Sequence, residues 1–313
     1  PQQMQQMQQM QQMQQMQQSE DIETIITNES SGKRWNNKSI VYFCGYSKIK
    51  FCPETSKLGG SEKAVINISR EWSKIGFDVY VFGNVNEGIY DNVKYISIEK
   101  FNINDIFDTI ILWRGFGLQI IGKVIAQNIL VDFHDYTNLE NFPKQIFEKI
   151  NKVFVKSNFH KSLLNIVPSD KIVVVQNGLE EIFNNNKNVD NSNRKLHRFC
   201  YTSDYRRGLD KILMHIWPFI KKKYPEAEFH LFYGMENIVP QQKQLLENLI
   251  NMSEGVIDHG LVTIEKLNKE RLKSTFHLYI TDTKTEIDCL SIRESCIYGC
   301  LPIISDVNIF KNR

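Results

Sequence analysis

Two glutamates near the end of the sequence have a type and a spacing that suit one binding site. Glu286 follows a predicted strand, and Glu294 lies in the first turn of the helix predicted after it, so both carboxylates can accept hydrogen bonds at the same edge. Leu290 and Ser291 open that helix and are candidate ligand-binding residues beside Glu294. The spacing Ser291-x-x-Glu294 is also that of a capping box, in which Glu294 would serve the helix alone.

A pair of arginines, Arg206 and Arg207, lies between another predicted strand and its following helix, directly before Gly208. The planar guanidinium group of arginine matches the oxygen atoms of a phosphate group. The pair therefore predicts an anion site. The alternative is an ordinary pair of solvated surface charges.

The run Leu58-Gly59-Gly60-Ser61-Glu62 predicts a second place where the backbone meets a ligand. Paired glycines let the backbone approach a ligand closely. The N-terminus of the helix behind them presents free N–H groups and the positive end of a dipole, which suit phosphate. The alternative is a turn in which Ser61 is the N-cap of the helix.

His134 and Asp135 follow an apolar run in the segment Val131-Asp132-Phe133-His134-Asp135. Side chains that project past the carboxyl end of a strand lie where α/β folds bind ligands. We therefore predict His134 and Asp135 as catalytic candidates. The alternative is a histidine that is hydrogen-bonded for structural reasons only.

The elements that must position these residues alternate between short apolar strands and amphipathic helices, which predicts doubly wound sheets. The predicted strands are 39–44, 78–82, 108–112, 129–133, 152–155, 172–175, 197–202, 227–233, 256–259, 277–280 and 302–305. The predicted helices are 61–75, 143–150, 209–222, 241–251, 264–273 and 291–298.

The same pattern divides the chain into four parts. Residues 1–38, with a Gln-Gln-Met repeat over 1–18, have no apolar stripe and are predicted to be a disordered leader. An N-terminal domain (39–183) and a C-terminal domain (196–313) flank 184–195, a polar stretch predicted to be a linker. Two α/β domains predict a cleft with ligands at the carboxyl ends of the strands.

Composition excludes several classes of protein. A chain of 313 residues with 42% hydrophobic and 24% charged residues is neither fibrous nor wholly disordered. The net charge of +2 predicts no nucleic-acid partner. No apolar run is long enough to span a bilayer, so membrane contact is expected to be at most peripheral. Six cysteines without CxxC spacing predict reduced thiols in a cytoplasmic protein, and no motif predicts a metal site.

Taken in order, the motifs resemble the retaining nucleotide-sugar glycosyltransferases of family four, which have the GT-B fold. The resemblance runs from about residue 40 to the end, on seven motifs. They are GGSEKAVINIS (59–69), FHD (133–135), VKSNFHKSLL (155–164), VVVQNGLEEIF (173–183), YTSDYRRGLDKIL (201–213), YPEAEFHLFYG (224–234) and the glutamates at 286 and 294. It implies two Rossmann-like domains facing a cleft and sugar transfer, with retention, from a UDP- or GDP-sugar to a glycan, lipid or protein acceptor. It also implies that no metal or other cofactor is required.

By this resemblance the C-terminal domain holds the nucleotide sugar. Arg207 would neutralise the diphosphate with Arg206 as a helper, Glu294 would accept hydrogen bonds from the ribose hydroxyls, and Glu286 would face the donor sugar. Such preorganised charges would stabilise the negative charge that develops on the leaving diphosphate.

The N-terminal domain, by the same resemblance, holds the acceptor. His134 would lie near the transferred sugar, and the backbone of Gly59 and Gly60 would approach the diphosphate.

The sequence also departs from the family. Ile287 and Asp288 stand where the family usually has a small and an aromatic residue, and Tyr201 stands where it often has a basic one. The closing segment of the family would follow Arg313, so the C-terminal domain is expected to be incomplete. One alternative is a catalytically silent GT-B-like module that binds a sugar nucleotide or acts as a scaffold. Another is a glycosidase, which also needs paired carboxylates.

Overall fold

The computed structural model describes residues 31–312 except 46, 48–49, 57, 140–141, 180–191, 237 and 283–285. The chain divides into two compact units, Pro1–Gly178 (unit 1) and Leu179–Arg313 (unit 2). Most of the predicted leader (1–30) and most of the predicted linker (184–191) lie outside the described residues.

Unit 1 contains a sheet of eight strands with the spatial order β3-β4-β2-β1-β5-β6-β7-β8. They are β1 (Ser39–Phe43), β2 (Asp78–Gly83), β3 (Gly88–Tyr90), β4 (Val93–Ser97), β5 (Ile106–Trp113), β6 (Ile125–Asp132), β7 (Lys152–Val155) and β8 (Ile172–Val174). Neighbours pair in parallel, as where Val41 lies between Tyr80 of β2 and Ile110 of β5. The exception is the antiparallel pair β3 and β4.

The two faces of β1 supply two separate cores of unit 1. Val41 and Phe43 pack into one apolar cluster, and Ile40 and Tyr42 pack into the other. Successive side chains of a strand point to opposite faces, so a strand buried on both sides is apolar throughout. This explains the unbroken apolar run IVYF after Ser39.

One long helix, α1 (Gly60–Lys74), crosses from β1 to β2, and a short one, α2 (Asn158–Ser162), follows β7. Single 3-10 segments lie at Ile98–Lys100, Gly115–Ile120 and Lys144–Glu148. The α-helix predicted at 143–150 is therefore wrong. The ammonium group of Lys171 donates to the carbonyl oxygens of Phe147 and Ile150, both at 2.8 Å, and so satisfies backbone groups that an α-helix would pair internally.

Strands β3 and β4 were not predicted. They form a hairpin around Asp91 and Asn92, whose φ angles are +50° and +61°. Asparagine and aspartate tolerate such angles, and tight hairpin turns require them. The dipeptide Asp91-Asn92 is therefore the feature of the sequence that could have predicted this hairpin.

The fold of unit 1 begins earlier than the predicted domain boundary at residue 39. Arg34 forms a β-bridge with Ile106, and the backbone N–H of Trp35 donates to the Ile106 carbonyl at 2.9 Å. The indole N–H of Trp35 donates to Asp105 at 2.8 Å. The last residues assigned to the leader therefore bond to the start of β5, and the tryptophan anchors them.

Unit 2 contains a parallel sheet of five strands with the spatial order β11-β10-β9-β12-β13. They are β9 (Lys195–Tyr201), β10 (Glu228–Leu231), β11 (Val256–Asp258), β12 (Ser274–Tyr279) and β13 (Leu301–Ile304). The helices are α3 (Leu209–Lys211), which continues through a π-helical turn (Ile212–Ile216) into α4 (Trp217–Lys223), then α5 (Pro240–Met252), α6 (Ile264–Lys273) and α7 (Leu290–Ile297). Trp217 fills the core of this unit and stacks on Phe229 at 5.1 Å between ring centroids.

Candidate functional site

The centre of the unit 2 sheet is a topological switch point. Strands β9 and β12 are neighbours, but the chain leaves β9 toward β10 and leaves β12 toward β13, on opposite sides. In open α/β sheets this divergence leaves a crevice at the carboxyl ends of the two strands, where ligands bind. Arg207 follows β9 and Glu286 follows β12, so the fold brings both predicted residues to this edge.

Gly208 holds the loop after β9 against the loop after β12. Its φ is +97°, and a Cβ atom on it would lie 2.3 Å from the carbonyl oxygen of Ile280. Only glycine satisfies both conditions without strain. The close approach places Arg207 beside Glu286, and Nη1 of Arg207 donates to Oε2 of Glu286.

We expect Gly208→Ala to destabilise unit 2 by more than the ~1–2 kcal/mol that a left-handed conformation costs a residue with a side chain. The matched control is Gly260→Ala, because Gly260 has a φ of +62° and open space where its Cβ would be. Urea denaturation gives the free energy of unfolding of each variant. Equal losses in the two variants would contradict the assigned close approach.

Glu286 is buried in unit 2, with 4% of its surface exposed. Oε2 also accepts from the Tyr279 hydroxyl at 2.8 Å, and Oε1 accepts from the backbone N–H of Cys289 at 2.8 Å. Burial alone would lower the pKa of Arg207, but the Glu286 carboxylate outweighs it and raises that pKa above its usual value. The carboxylate is thus held by the protein, and Arg207 remains a cation.

Helix α7 begins at Leu290 and has Cys289 as its N-cap, without a side-chain cap bond. The capping-box alternative for Ser291 and Glu294 is therefore wrong, because Ser291 already lies inside the helix. Cys289 adopts a left-handed conformation with φ of +42°. This conformation starts the helix before Ser291 and leaves Glu294 for other contacts.

Glu294 is held by an arginine that sequence analysis did not identify. Its Oε2 accepts from Nη2 of Arg271 at 2.8 Å, and the same nitrogen donates to the Thr202 hydroxyl at 3.3 Å. Arg271 is only 2% exposed. The sequence of its helix α6, IEKLNKERLK, is typical of a charged surface helix. The local sequence pattern therefore does not indicate a buried guanidinium group.

Two other charges at this edge are neutralised locally. Nε of Arg206 donates to Oδ1 of Asp204 at 2.9 Å, so Arg206 folds back on its own loop. Asp288 pairs with Arg293 at 3.2 Å. The additional negative charge of Asp288 therefore has a cation beside it.

Unit 1 has a second switch point, between β1 and β5. Helix α1 begins at Gly60 with Gly59 as its N-cap, so the alternative that makes Ser61 the N-cap is wrong. A Cβ atom on Gly59 would lie 2.3 Å from Oε2 of Glu62. The absence of a side chain at Gly59 thus leaves room for the Glu62 carboxylate at the N-terminus of helix α1.

Arg114 joins the loops at this second edge. It follows β5 with φ of +60° and ψ of −176°, a conformation that is almost restricted to glycine. Nη2 of Arg114 donates to the Ser61 hydroxyl, and Nε lies 2.8 Å from Oδ2 of Asp135. Asp135 is exposed, and its carboxylate is directed to Arg114. Sequence analysis missed Arg114, which has no recognisable motif around it.

The His134 side chain is turned inward, with 2% of it exposed. Its Nε2 lies 2.9 Å from Oδ2 of Asp132, a buried residue at the end of β6. Burial, opposed by Asp132, lowers the pKa of His134 below its usual value, so the ring is neutral near pH 7. Asp132 was part of the quoted motif but was not predicted as a site residue.

No family model and no curated protein matches the sequence. The fold, however, is shared with solved structures. Sucrose-phosphate synthase from Thermosynechococcus elongatus is 13% identical, with a TM-score of 0.63 over 87% of this chain and 82% of that one. A glycosyltransferase from Rickettsia africae is 16% identical, with a TM-score of 0.60 over 88% and 80%. The catalytic domain of starch synthase IV from Arabidopsis thaliana, solved with ADP and acarbose, is 12% identical, with a TM-score of 0.61 over 88% and 84%.

At these identities the similarity establishes the fold. The chain has the α/β fold of GT-B glycosyltransferases, with two Rossmann-like units on parallel sheets, and this part of the sequence prediction is confirmed.

Two further findings concern the described residues. None of their helices combines the length and the apolar character needed to cross a membrane. Among the same residues, no group of three or more His, Cys, Asp or Glu side chains is arranged to hold a metal ion.

Proposed function

We propose that this chain is a retaining glycosyltransferase of family four. It transfers a sugar from a UDP- or GDP-sugar, without a metal ion, to a glycan, lipid or protein acceptor. The fold shared with three glycosyltransferase structures supports the general class. The six unpaired thiols fit a cytoplasmic location, where disulfides are rare.

The observation that carries the proposal is the set of charges at the unit 2 switch point. Arg207 is held at the carboxyl end of β9 with 41% of its side chain exposed, so a diphosphate can reach it. Its guanidinium is in place before the sugar leaves, so it stabilises the negative charge that develops on the diphosphate. Arg206, the proposed helper, lies next to it in the chain, but its own charge is paired with Asp204.

Glu294 is assigned to the ribose hydroxyls. The buried Arg271 keeps one carboxylate oxygen of Glu294 in a fixed position, which preorganises the acceptor group. Leu290 and Ser291, in the first turn of the same helix, would contact the nucleotide beside it.

Unit 1 is assigned to the acceptor. In this proposal His134 and Asp135 lie near the transferred sugar, and the backbone of Gly59 and Gly60 approaches the diphosphate. The inward position of His134 means that only a small part of its ring is available to a ligand.

The first experiment is calorimetric titration of the chain, without added metal, with UDP, GDP, ADP and their common sugar conjugates. Micromolar binding of one nucleotide would support the donor site and identify its base. The absence of binding by any of them would count against the donor site.

Glu286→Gln is expected to lower the rate of donor turnover by about 100-fold, because it removes a charge next to the reacting sugar. The nucleotide affinity should change by less than about fivefold, because the diphosphate contacts remain. The matched control is Asp282→Asn, an exposed carboxylate that pairs with Lys211 in the same region and that should alter neither value. A Glu286→Gln protein with wild-type turnover would refute the catalytic assignment.

One observation favours the alternative of a catalytically silent sugar-nucleotide module. Glu286 is buried and already accepts hydrogen bonds from Arg207, Tyr279 and the backbone of Cys289. A module of this kind would bind the nucleotide as tightly as an enzyme. It would show neither hydrolysis of the donor nor transfer with any acceptor, and this assay separates the two functions.

A further inference from the structure

A cluster of four polar side chains lies buried at the carboxyl ends of three strands of unit 1. Asp132 ends β6, Tyr42 lies in β1, Lys156 follows β7, and His134 lies two residues beyond Asp132. Asp132 is the centre of the cluster. It accepts hydrogen bonds from the Tyr42 hydroxyl and the Lys156 ammonium group, and it lies 2.9 Å from Nε2 of His134.

Removing a carboxylate and an ammonium group from water carries a large desolvation cost. For this reason, apolar residues of similar size often stabilise a fold at least as much as a buried ion pair does. Asp132 and Lys156 are both buried. The cluster also stands at a sheet edge where α/β folds place their ligands. A positioning role at that edge accounts for its location better than a contribution to stability does.

The contacts determine where the ring of His134 carries its proton. An ionised carboxylate only accepts hydrogen bonds. Lys156 and Tyr42 both donate to Asp132, so Asp132 is the acceptor toward Nε2 as well, and Nε2 bears the proton. A neutral ring protonated at Nε2 has an unprotonated Nδ1.

The surroundings also disfavour a second proton on the ring. Burial lowers the pKa of His134, and the nearby cations Lys156 and Arg114 lower it further, whereas Asp132 raises it. The net direction is downward. Among the residues that the structure describes, none forms a hydrogen bond with Nδ1 of His134. The ring therefore offers one acceptor atom that the fold does not use.

We propose that Asp132 is a positioning residue. It holds His134 with the proton on Nε2, so that Nδ1 accepts a hydrogen bond from a hydroxyl group of the bound sugar or acceptor. Lys156 keeps Asp132 ionised, and Tyr42 supplies a further, neutral donor to the carboxylate. The second half of this inference, the substrate hydroxyl, rests on the proposed function, whereas the first half does not.

The first test needs no activity. Nitrogen-15 NMR of the imidazole rings separates protonated from unprotonated ring nitrogens, and the signals lost in His134→Asn identify His134 among the seven histidines. We expect a neutral ring with a downfield Nε2–H proton that is protected from solvent exchange. A proton on Nδ1, a doubly protonated ring, or an Nε2–H that exchanges freely would each overturn the assignment.

Variants then test the part played by Asp132. The double variant Asp132→Leu/Lys156→Met removes both charges together and leaves neither buried alone. It should keep the fold but lose the protected Nε2–H signal of His134. Tyr42→Phe, the control, removes a neutral donor and should retain the signal. His277, which is buried in unit 2 against Ser295, should give the same signals in every protein. A protected signal that persists in the folded double variant would refute the role of Asp132.

The last test compares two amides at position 134. The side-chain oxygen of asparagine reaches the place of Nδ1, and that of glutamine reaches the place of Nε2. We expect His134→Asn to turn over UDP-glucose or GDP-mannose at least tenfold faster than His134→Gln. The reverse order would overturn the role of Nδ1. If the wild-type protein turns over neither these two donors nor the other common UDP- and GDP-sugars, the proposed function fails, while the NMR result still decides the role of Asp132.

Discussion

Replacing Arg207 with alanine is expected to weaken the binding of UDP or GDP by about 100-fold. The affinity for uridine or guanosine should stay within about threefold of the wild-type value. Loss of one member of a hydrogen-bonded charge pair costs about 2–5 kcal/mol, and 100-fold corresponds to about 2.8 kcal/mol. Only the nucleotides carry the diphosphate that Arg207 is proposed to bind. Calorimetric titration of the four ligands measures the difference directly.

The variant has a second effect that needs its own control. Arg207 is the cation beside Glu286, so its removal leaves a buried carboxylate without its ion pair. Arg207→Ala/Glu286→Gln removes that carboxylate charge as well. If the loss of diphosphate binding comes from Arg207 itself, the double variant should bind UDP as weakly as the single variant. Recovery of binding in the double variant would show that the unpaired Glu286 was the cause.

If Arg207→Ala bound both UDP and GDP as tightly as the wild type does, the assignment of Arg207 to the diphosphate would be wrong. Arg206 would not replace it, because its guanidinium already folds back on Asp204. Arg207→Lys keeps the charge but loses the planar fork, so it should recover part of the affinity.

The strand pattern was predictable because buried parallel strands are apolar throughout. The runs beginning at Ser39 and Lys152 became strands at those residues. In the separate sheet of unit 2, β9 and β12 are neighbours, and this order placed Arg207 and Glu286, which follow them, at one edge. That adjacency follows from the alternation of elements and needs no knowledge of side-chain contacts.

The contacts made by Arg271 and Asp132 were not predictable in the same way. Each lies in a segment whose local pattern is explained by its own element, a polar helix or the end of an apolar strand. Their partners come from elsewhere in the chain, as with Arg271 and Glu294, which are separated by 23 positions. Hydrophobic periodicity indicates which face is buried, but it does not indicate which two charges will meet there.

The orientation of the Glu286 side chain could not be predicted from the sequence either. Its position after β12 was correct, but the carboxylate turns inward because the Tyr279 hydroxyl and the Cys289 amide donate to it. Tyr279 precedes Glu286 by seven residues, at the end of the strand. The contact therefore joins the end of a strand to a residue in the connection that follows it, and such connections are the most variable parts of a fold.

Lys156→Met is expected to lower the stability of unit 1 by about 3–5 kcal/mol, because it leaves the buried Asp132 carboxylate without its cation. Asp132→Leu/Lys156→Met should recover most of this loss, since neither charge then remains. Urea denaturation of the wild type, both single variants and the double variant gives the coupling between the two residues. A double variant as unstable as Lys156→Met would show that packing, and not charge, causes the loss.

The pH dependence of the stability of the same proteins provides a second measurement on the ion pair of Asp132 and Lys156. Burial alone would raise the pKa of Asp132, but His134 and Lys156 outweigh it and hold that pKa below its ordinary value of 3.8. A depressed carboxylate pKa means that the unfolded chain binds the proton more readily than the folded one, so stability falls as the pH falls below about 3.8. Without Lys156 the pKa of Asp132 rises, and the stability lost on acidification should be smaller than in the wild type. An unchanged acid dependence in Lys156→Met would mean that Lys156 does not hold Asp132 in its ionised form.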